Sequence, residues 1–462
     1  MTTPTAAGKA AETGTASPAA LLRSRGYLVL LGFAALLGLP VSAAAYGFLA
    51  LVSYLQKEVF VHLPRGLGFA VAPLWWPVPV LLAGSVLVAL TIRYLPGEGG
   101  PTPAYGFRLH PPPGTAQLPG VVLAALATLT FGIVLGPEMP LILLGGGLAL
   151  LATKLPRKQL PEQAVTVIGA SGSFAAISAL LGSPIVGAFL LMEASGLGGQ
   201  TMLLVLIPGL LAAGVGALIF TGLGHWTGLG SFSLAIHGLP HVGTPTAAEF
   251  GWAVLIGLLS ASAGSGMRRL AVWVHGYASA RTMTVLPLAG LAIAGLAIAF
   301  ATGSGKGASE VLFSGQSALG PLITRNADFS ALALVLLIAC KGLAYSVSMG
   351  SFRGGPVFPS MFLGAVIGLA VSHFPGLSPI AGAAMGIGAM SAVMLALPLT
   401  SVLLATLLLA SDGLVLMPLV IVSVVVAYVV AARVMPDAGG GDAPPPARAL
   451  GISDDVARAA EG

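Results

Sequence analysis

Apolar segments follow one another from Tyr27 to Val434, and few charged residues separate them. Charged residues make up only 8% of the 462 residues, whereas an average soluble protein has about 25%. A surface that faces water needs more charge than this. The composition therefore excludes a soluble enzyme, a disordered chain and a nucleic-acid-binding protein, and it predicts an all-α polytopic membrane protein in contact with lipids.

Many of the predicted helices are short or broken. They cover residues 27–56, 74–95, 118–135, 138–154, 162–180, 184–194, 202–223, 250–277, 284–301, 329–349, 357–373, 379–394, 396–410 and 414–434. Several are shorter than the roughly 20 residues that cross a bilayer, and Gly or Pro interrupts others. Short, interrupted segments in both halves are typical of transporters built from an inverted repeat.

The domain organisation follows from these segments. We expect one transmembrane domain at 26–435, with halves at 26–225 and 250–435 joined by the polar stretch 224–249. Residues 1–25 read as a flexible cytoplasmic tail, and residues 436–462 as a short disordered cytoplasmic tail.

Basic residues predict the orientation, because cytoplasmic loops carry an excess of Lys and Arg. The basic groups are Arg23 and Arg25; Lys154, Arg157 and Lys158; Arg268, Arg269 and Arg281; and Arg433 with Arg448. We therefore expect both termini to be cytoplasmic, in a multi-pass protein of the plasma (inner) membrane.

Glu138 is the most informative charged residue, because it lies alone in a long apolar stretch. A carboxylate at the centre of a membrane helix costs about 2.5–3.5 kcal/mol. Gly136 and Pro137 end one helix, and Pro140 suits the first turn of the next. Glu138 should thus lie at a helix N-terminus, where free N–H groups attract an anion. It is either a gate that competes with a dissolved anion or a simple helix cap.

Two other Gly/Pro elements resemble the one at Glu138. Gly354-Gly355-Pro356-Val357-Phe358-Pro359 opens a later apolar segment, and Gly97-Glu98-Gly99-Gly100-Pro101 follows an early one. We expect backbone groups to bind the anion at Gly136, Met139, Pro356, Val357 and Phe358. The candidates for lining the pathway are Gly97, Glu98, Gly99 and Arg353.

These three elements resemble signatures of the chloride channel/transporter (ClC) family. Gly136–Pro140 is similar to its gating signature Gly-Lys/Arg-Glu-Gly-Pro, Gly355–Pro359 to Gly-x-Phe-x-Pro, and Gly97–Pro101 to Gly-Ser-Gly-Ile-Pro. The resemblance covers about residues 27–435 and is closest to a divergent bacterial branch of ion-transport proteins. It implies a ClC-like fold, a homodimer, chloride as substrate, and Glu138 as the gate.

The departures from the family pattern concern anion binding and proton coupling. Glu98 stands where the family has a Ser, and it would repel an anion unless it were protonated or turned away. No Tyr follows Tyr428 to supply the usual late hydroxyl. Glu193 matches the first residue of an inner acidic pair and Ala194 the second, which favours a channel-like or weakly proton-coupled pathway. The alternative is a proton/chloride antiporter with Glu193 as the inner proton relay.

Other functions need other residues. Gly169-Ala170-Ser171-Gly172 fits an intramembrane serine hydrolase, and a cationic or organic substrate would suit the same broken-helix plan. Lys341 lies in an apolar stretch and should pair with a carboxylate or with backbone carbonyls. The single cysteine, Cys340, excludes a multi-cysteine metal site, and we expect neither a metal nor a cofactor.

Overall fold

The computed structural model describes residues 23–155, 160–196, 199–227, 236, 242–409 and 413–435. Within these residues the elements are helices, and one isolated bridge joins two extended segments. Eight of the helices are long and apolar enough to cross a membrane. The expected tails lie almost wholly outside the described residues, as do Arg157, Lys158 and Arg448.

The helices fall into two consecutive sets. The first set is α1 (Arg25–Lys57), α2 (Pro77–Tyr94), α3 (Leu118–Thr130), α4 (Glu138–Ala152), α5 (Glu162–Leu181), α6 (Pro184–Ser195) and α7 (Gly199–Thr227). The second set is α8 (Ala247–Ala280), α9 (Thr282–Ser304), α10 (Gln316–Thr324), α11 (Ala331–Ser351), α12 (Val357–Val371), α13 (Pro379–Leu395), α14 (Pro398–Leu408) and α15 (Gly413–Val434). A π turn at Glu58–His62 extends α1 to Gly66.

The predicted segments correspond to these helices, with two differences. The segment predicted at 118–135 ends at Thr130, because the chain turns at Gly132 with a φ of 87° and then runs extended to Gly136. Helix α10 was not predicted, because Gly320 and Pro321 within it are typical of turns and loops. Apolar length locates the long helices well, but it does not distinguish a helix from an extended apolar segment.

The two sets repeat the same packing. In the first set α1 packs on α7, α4 on α5, and α5 on α7; in the second, α8 packs on α15, α12 on α13, and α13 on α15. The sets meet through α2 with α9 and through α6 with α14. Helices α4 and α12 even begin with the same pattern, Gly-Pro-x-x-Pro, at Gly136 and Gly355. The architecture is thus the expected repeat of partly broken membrane helices.

Glycines permit the close packing of the equivalent helix pairs. A Cβ atom on Gly145 of α4 would collide with the carbonyl of Gly172 on α5, and one on Gly364 of α12 would collide with the carbonyl of Gly386 on α13. Small residues let helix backbones approach in this way, which is a main source of packing energy in a bilayer.

We predict that Gly364→Ala lowers the melting temperature of the protein in detergent. The added methyl group has no room beside the Gly386 carbonyl, and overpacking of this kind costs about 1–3 kcal/mol. Gly295→Ala on α9 is the matched control, because a Cβ atom there meets nothing within 4 Å and Ala favours a helix over Gly. Equal melting temperatures for the two variants would contradict the close contact.

Candidate functional site

A short antiparallel bridge joins the segments that precede α4 and α12. The Gly136 amide donates to the Gly355 carbonyl at 2.8 Å, and the Gly355 amide donates to the Gly136 carbonyl at 2.6 Å. Each glycine is followed by one proline and then by the helix. The bridge therefore holds the N-termini of α4 and α12 next to each other in the protein interior.

Two of the expected anion donors, Gly136 and Pro356, are not available to an anion. The Gly136 amide is already bound to Gly355 and is not available to an anion. Pro356 has no N–H group, and its carbonyl accepts a hydrogen bond from the Tyr345 hydroxyl at 2.7 Å. The amides of Met139, Val357 and Phe358 belong to the first turns of the two helices, where N–H groups have no acceptor within the helix.

Glu138 lies between the two helix N-termini and is fully buried. Its Oε1 atom accepts a hydrogen bond from the Phe358 amide at 2.7 Å. Its Oε2 atom has no hydrogen-bond partner among the described residues. The carboxylate thus begins its own helix and binds the N-terminus of the other helix, α12, where the helix dipole favours a negative charge.

The glycines of the bridge make room for this carboxylate. A Cβ atom on Gly136 or on Gly355 would overlap the carboxylate of Glu138. The two glycines therefore allow both the close approach of the backbones and the placing of an acidic group between them.

Two cavities approach the site from opposite ends of α2. The Lys306 cavity, of about 1020 Å³, is lined by residues that include Lys57, Arg65, Pro77, Pro137 and Lys306. The Arg353 cavity, of about 680 Å³, is lined by residues that include Ile92, Glu98, Arg108, His110, Leu143 and Arg353. Pro137 lines one cavity and Leu143 the other, whereas Glu138 lines neither. The Glu138 carboxylate therefore lies in the closed region between the cavities.

Glu98, which was expected to repel an anion, lines the Arg353 cavity. Its side chain is exposed, and its φ of 51° places it in the left-handed region. Its backbone carbonyl accepts a hydrogen bond from the Nε atom of Arg353 at 3.2 Å. Burial lowers the pKa of His110 below its ordinary value, so this imidazole is neutral at neutral pH. Arg108 and Arg353 bring positive charge to the same cavity.

Lys341 is fully buried on α11, and backbone carbonyls rather than a carboxylate bind it. Its Nζ atom donates to the carbonyls of Glu310, Val311, Leu312 and Phe313 at 2.8, 3.1, 3.1 and 3.3 Å. The same ammonium lies 4.4 Å from the centre of the Phe362 ring on α12. One buried cation thus joins α11, the turn 310–313 and α12.

Glu193 lies at the end of α6 and binds the N-terminus of α14. Its carboxylate accepts hydrogen bonds from the Leu399 amide at 2.9 Å, the Thr400 amide at 2.7 Å and the Thr400 hydroxyl at 2.6 Å. Charge-assisted hydrogen bonds of this kind are strong. The geometry is that of a carboxylate that caps a helix.

Ser171 has no catalytic surroundings in the described part of the chain. It is buried in α5, and its hydroxyl donates to the Val167 carbonyl of its own helix at 2.8 Å. No described histidine is hydrogen-bonded to it, so the structure gives no support to an intramembrane serine hydrolase.

The sequence model of the family described as "Voltage gated chloride channel" matches residues 83–432, which is most of the chain. The chain belongs to this family. The expected family and fold are therefore confirmed, and the protein is an integral membrane protein. The family consists of channels and transporters rather than enzymes.

Curated relatives are similar over most of the length of the chain. The Escherichia coli protein named "Putative ion-transport protein YfeO" is 30% identical in strain IAI39, over 362 residues, and in strain K12 / DH10B, over 366 residues. In both cases the match covers 76% of this chain and 81% of the relative.

Solved structures show a common fold at low sequence identity. A slow cyanobacterial Cl⁻/H⁺ antiporter has a TM-score of 0.71 at 19% identity and covers 91% of this chain and 97% of its own. A CLC-type fluoride/proton antiporter has a TM-score of 0.61 at 18% identity, covering 89% and 97%. A eukaryotic CLC transporter has a TM-score of 0.65 at 18% identity, covering 89% and 73%.

We predict that Lys341→Met lowers the melting temperature in detergent more than Lys57→Met does. The first change removes the donor of four carbonyls, and a buried polar group without a partner costs about 1–3 kcal/mol. Lys57 is exposed, so its replacement should have little effect. If both variants melt like the wild type, the ammonium does not hold the turn 310–313.

Proposed function

We propose that this protein transports a small inorganic anion, most favourably chloride, across the membrane through a pathway gated by Glu138. The hydrogen bond between Glu138 Oε1 and the Phe358 amide carries the proposal. The carboxylate occupies a buried helix N-terminus, which is a site that attracts dissolved anions. Membership of the voltage gated chloride channel family supports the same substrate class.

The gate works by competition between two negative groups for one helix N-terminus. While Glu138 is ionised, its carboxylate holds the Phe358 amide and excludes the permeating anion. When the carboxyl group takes up a proton, it loses its charge and its attraction to the N-terminus of α12. The anion then binds in its place, so transport should increase as the pH falls.

The cavities supply the anion from both sides. Lys57, Arg65 and Lys306 line one cavity, and Arg108 and Arg353 line the other. Walls that carry positive charge raise the local concentration of anions. Glu98 also lines the second cavity and lowers this effect in part, but its side chain is exposed to solvent, which screens its charge.

Channel-like or weakly proton-coupled transport is the form that the acidic residues favour. Glu193 is held by three hydrogen-bond donors at the N-terminus of α14, so its side chain is fixed in place as a helix cap. Ala194 follows it and cannot carry a proton. The second candidate is a proton/chloride antiporter with Glu193 as the inner relay, and its support is the common fold with two antiporters.

The proposed setting is the plasma membrane, with both termini cytoplasmic and one pathway in each subunit of a homodimer. Arg269 donates to the Val434 carbonyl at 2.5 Å, which places it beside Arg433. Two of the basic groups thus lie together, as they should if they share the cytoplasmic side.

We predict that Glu138→Gln increases chloride flux at neutral pH and flattens its pH dependence. The amide keeps the size of the carboxyl group but does not carry the charge that competes with the anion. Flux is measured on purified protein in liposomes as chloride efflux between pH 4.5 and pH 8. Glu162→Gln, at an exposed residue of α5, is the control and should behave like the wild type.

Two results would contradict this role. Flux that stays low and equally pH-sensitive in Glu138→Gln would remove Glu138 from the gate. Flux of sodium rather than of chloride, fluoride or nitrate in the same liposomes would exclude an anion as the substrate.

Recording proton movement during the same efflux separates the two candidates. We predict that a chloride gradient drives little or no uphill proton movement, and that Glu193→Ala leaves the chloride flux of the folded protein unchanged. Uphill proton movement that disappears in Glu193→Ala would establish the antiporter instead.

A further inference from the structure

Helix α11 carries three polar side chains on one face. Lys341, Tyr345 and Ser348 are spaced by four and three residues, so they lie above one another along the helix. All three are fully buried. Each of them binds the backbone of a different segment that lies outside α11, and each of these segments borders Glu138 or a cavity that leads to it.

Lys341 holds the turn that forms one wall of the Lys306 cavity. The four carbonyls that it binds belong to residues 310–313, and Leu312 and Phe313 line that cavity. The Phe313 amide in turn donates to the Gly132 carbonyl at 3.0 Å. The turn is therefore tied both to α11 and to the segment that leads to Gly136.

Tyr345 acts on the N-terminus of α12. Its hydroxyl donates to the Pro356 carbonyl at 2.7 Å, and this carbonyl belongs to the same peptide group as the Val357 amide. A hydrogen bond to the carbonyl of a peptide group makes its N–H a stronger donor. Tyr345 thus strengthens an amide in the first turn of α12, next to the Phe358 amide that binds Glu138.

Ser348 acts on the other extended segment. Its hydroxyl accepts a hydrogen bond from the Val134 amide at 3.2 Å and donates to the Ala344 carbonyl of its own helix at 2.7 Å. Val134 is two residues before Gly136, the first partner of the bridge. Ser348 therefore holds the extended segment before α4 in position, and Tyr345 does the same for the first residue before α12.

We propose that the face of α11 formed by Lys341, Tyr345 and Ser348 positions the anion site. In this proposal Tyr345 and Ser348 are positioning residues, which set the donor strength and the separation of the two helix N-termini at Glu138. The proposal rests on the proposed function, since it concerns the same site. It adds residues that none of the three sequence elements contains.

Ser346 provides a matched control on the same helix. Like Ser348 it is a fully buried serine that donates to the carbonyl four residues before it, at 2.7 Å. Among the described residues it binds no segment outside α11. Ser346→Ala therefore reproduces the change in side chain and in burial without releasing either extended segment.

The test is chloride flux in liposomes as a function of chloride concentration. Tyr345→Phe should raise the half-saturating concentration several-fold while the maximal flux changes little, because anion binding weakens. Ser348→Ala should shift the half-saturating concentration by at least twofold. Ser346→Ala and Ser348→Thr, which keeps a hydroxyl for Val134, should both match the wild type.

The measured half-saturating concentrations decide between two outcomes, even if Tyr345→Phe does not fold. Unchanged half-saturating concentrations in Tyr345→Phe and Ser348→Ala would overturn the proposal, and so would an equal shift in Ser346→Ala. If Tyr345→Phe does not yield folded protein, the comparison of Ser348→Ala with Ser348→Thr and Ser346→Ala decides. Failure of the proposed function is distinct, because it would show as unchanged flux and pH dependence in Glu138→Gln.

Discussion

The bridge between Gly136 and Gly355 is the constraint on which the rest of the site depends. It brings the N-termini of two helices together in the interior of a membrane protein. Two positive dipole ends placed side by side repel each other, and a negative charge between them is strongly favoured. The buried carboxylate of Glu138 supplies that charge, and in the proposed function a dissolved anion takes its place. In the proposed function, the need for a negative charge at this point and the preference for an anion thus have the same physical origin.

Among the described residues, Glu138 and Glu193 each bind the N-terminus of a helix other than their own, and the two cases differ. Glu138 receives one hydrogen bond at α12, and its second oxygen has no partner among the described residues. Glu193 receives three hydrogen bonds at α14. A group with one donor is exchanged more easily than a group with three. We interpret Glu138 as a movable gate and Glu193 as a fixed helix cap because of this difference in the number of hydrogen-bond donors.

The long helices and the place of Glu138 at a helix N-terminus were predictable from the sequence, because both depend on local composition. A lone charge in an apolar run is visible without a structure, and so is the repeated Gly-Pro-x-x-Pro at residues 136 and 355, although residue identity elsewhere did not reveal the repeat. The backbone hydrogen bonds between the two halves were not predictable. The Gly136 amide looked available because its acceptor, the Gly355 carbonyl, is more than two hundred residues away. Tyr345 and Ser348 resembled ordinary buried residues, since their partners are backbone groups of distant segments.

Lys341 has a further consequence for a protein that moves ions. Its ammonium donates to the four backbone carbonyls of residues 310–313. Because the side chain is covalently attached to α11, it does not leave these carbonyls when the salt on either side changes, as a bound ion would. The wall that Leu312 and Phe313 form in the Lys306 cavity is thus held by a group that does not exchange with dissolved salt.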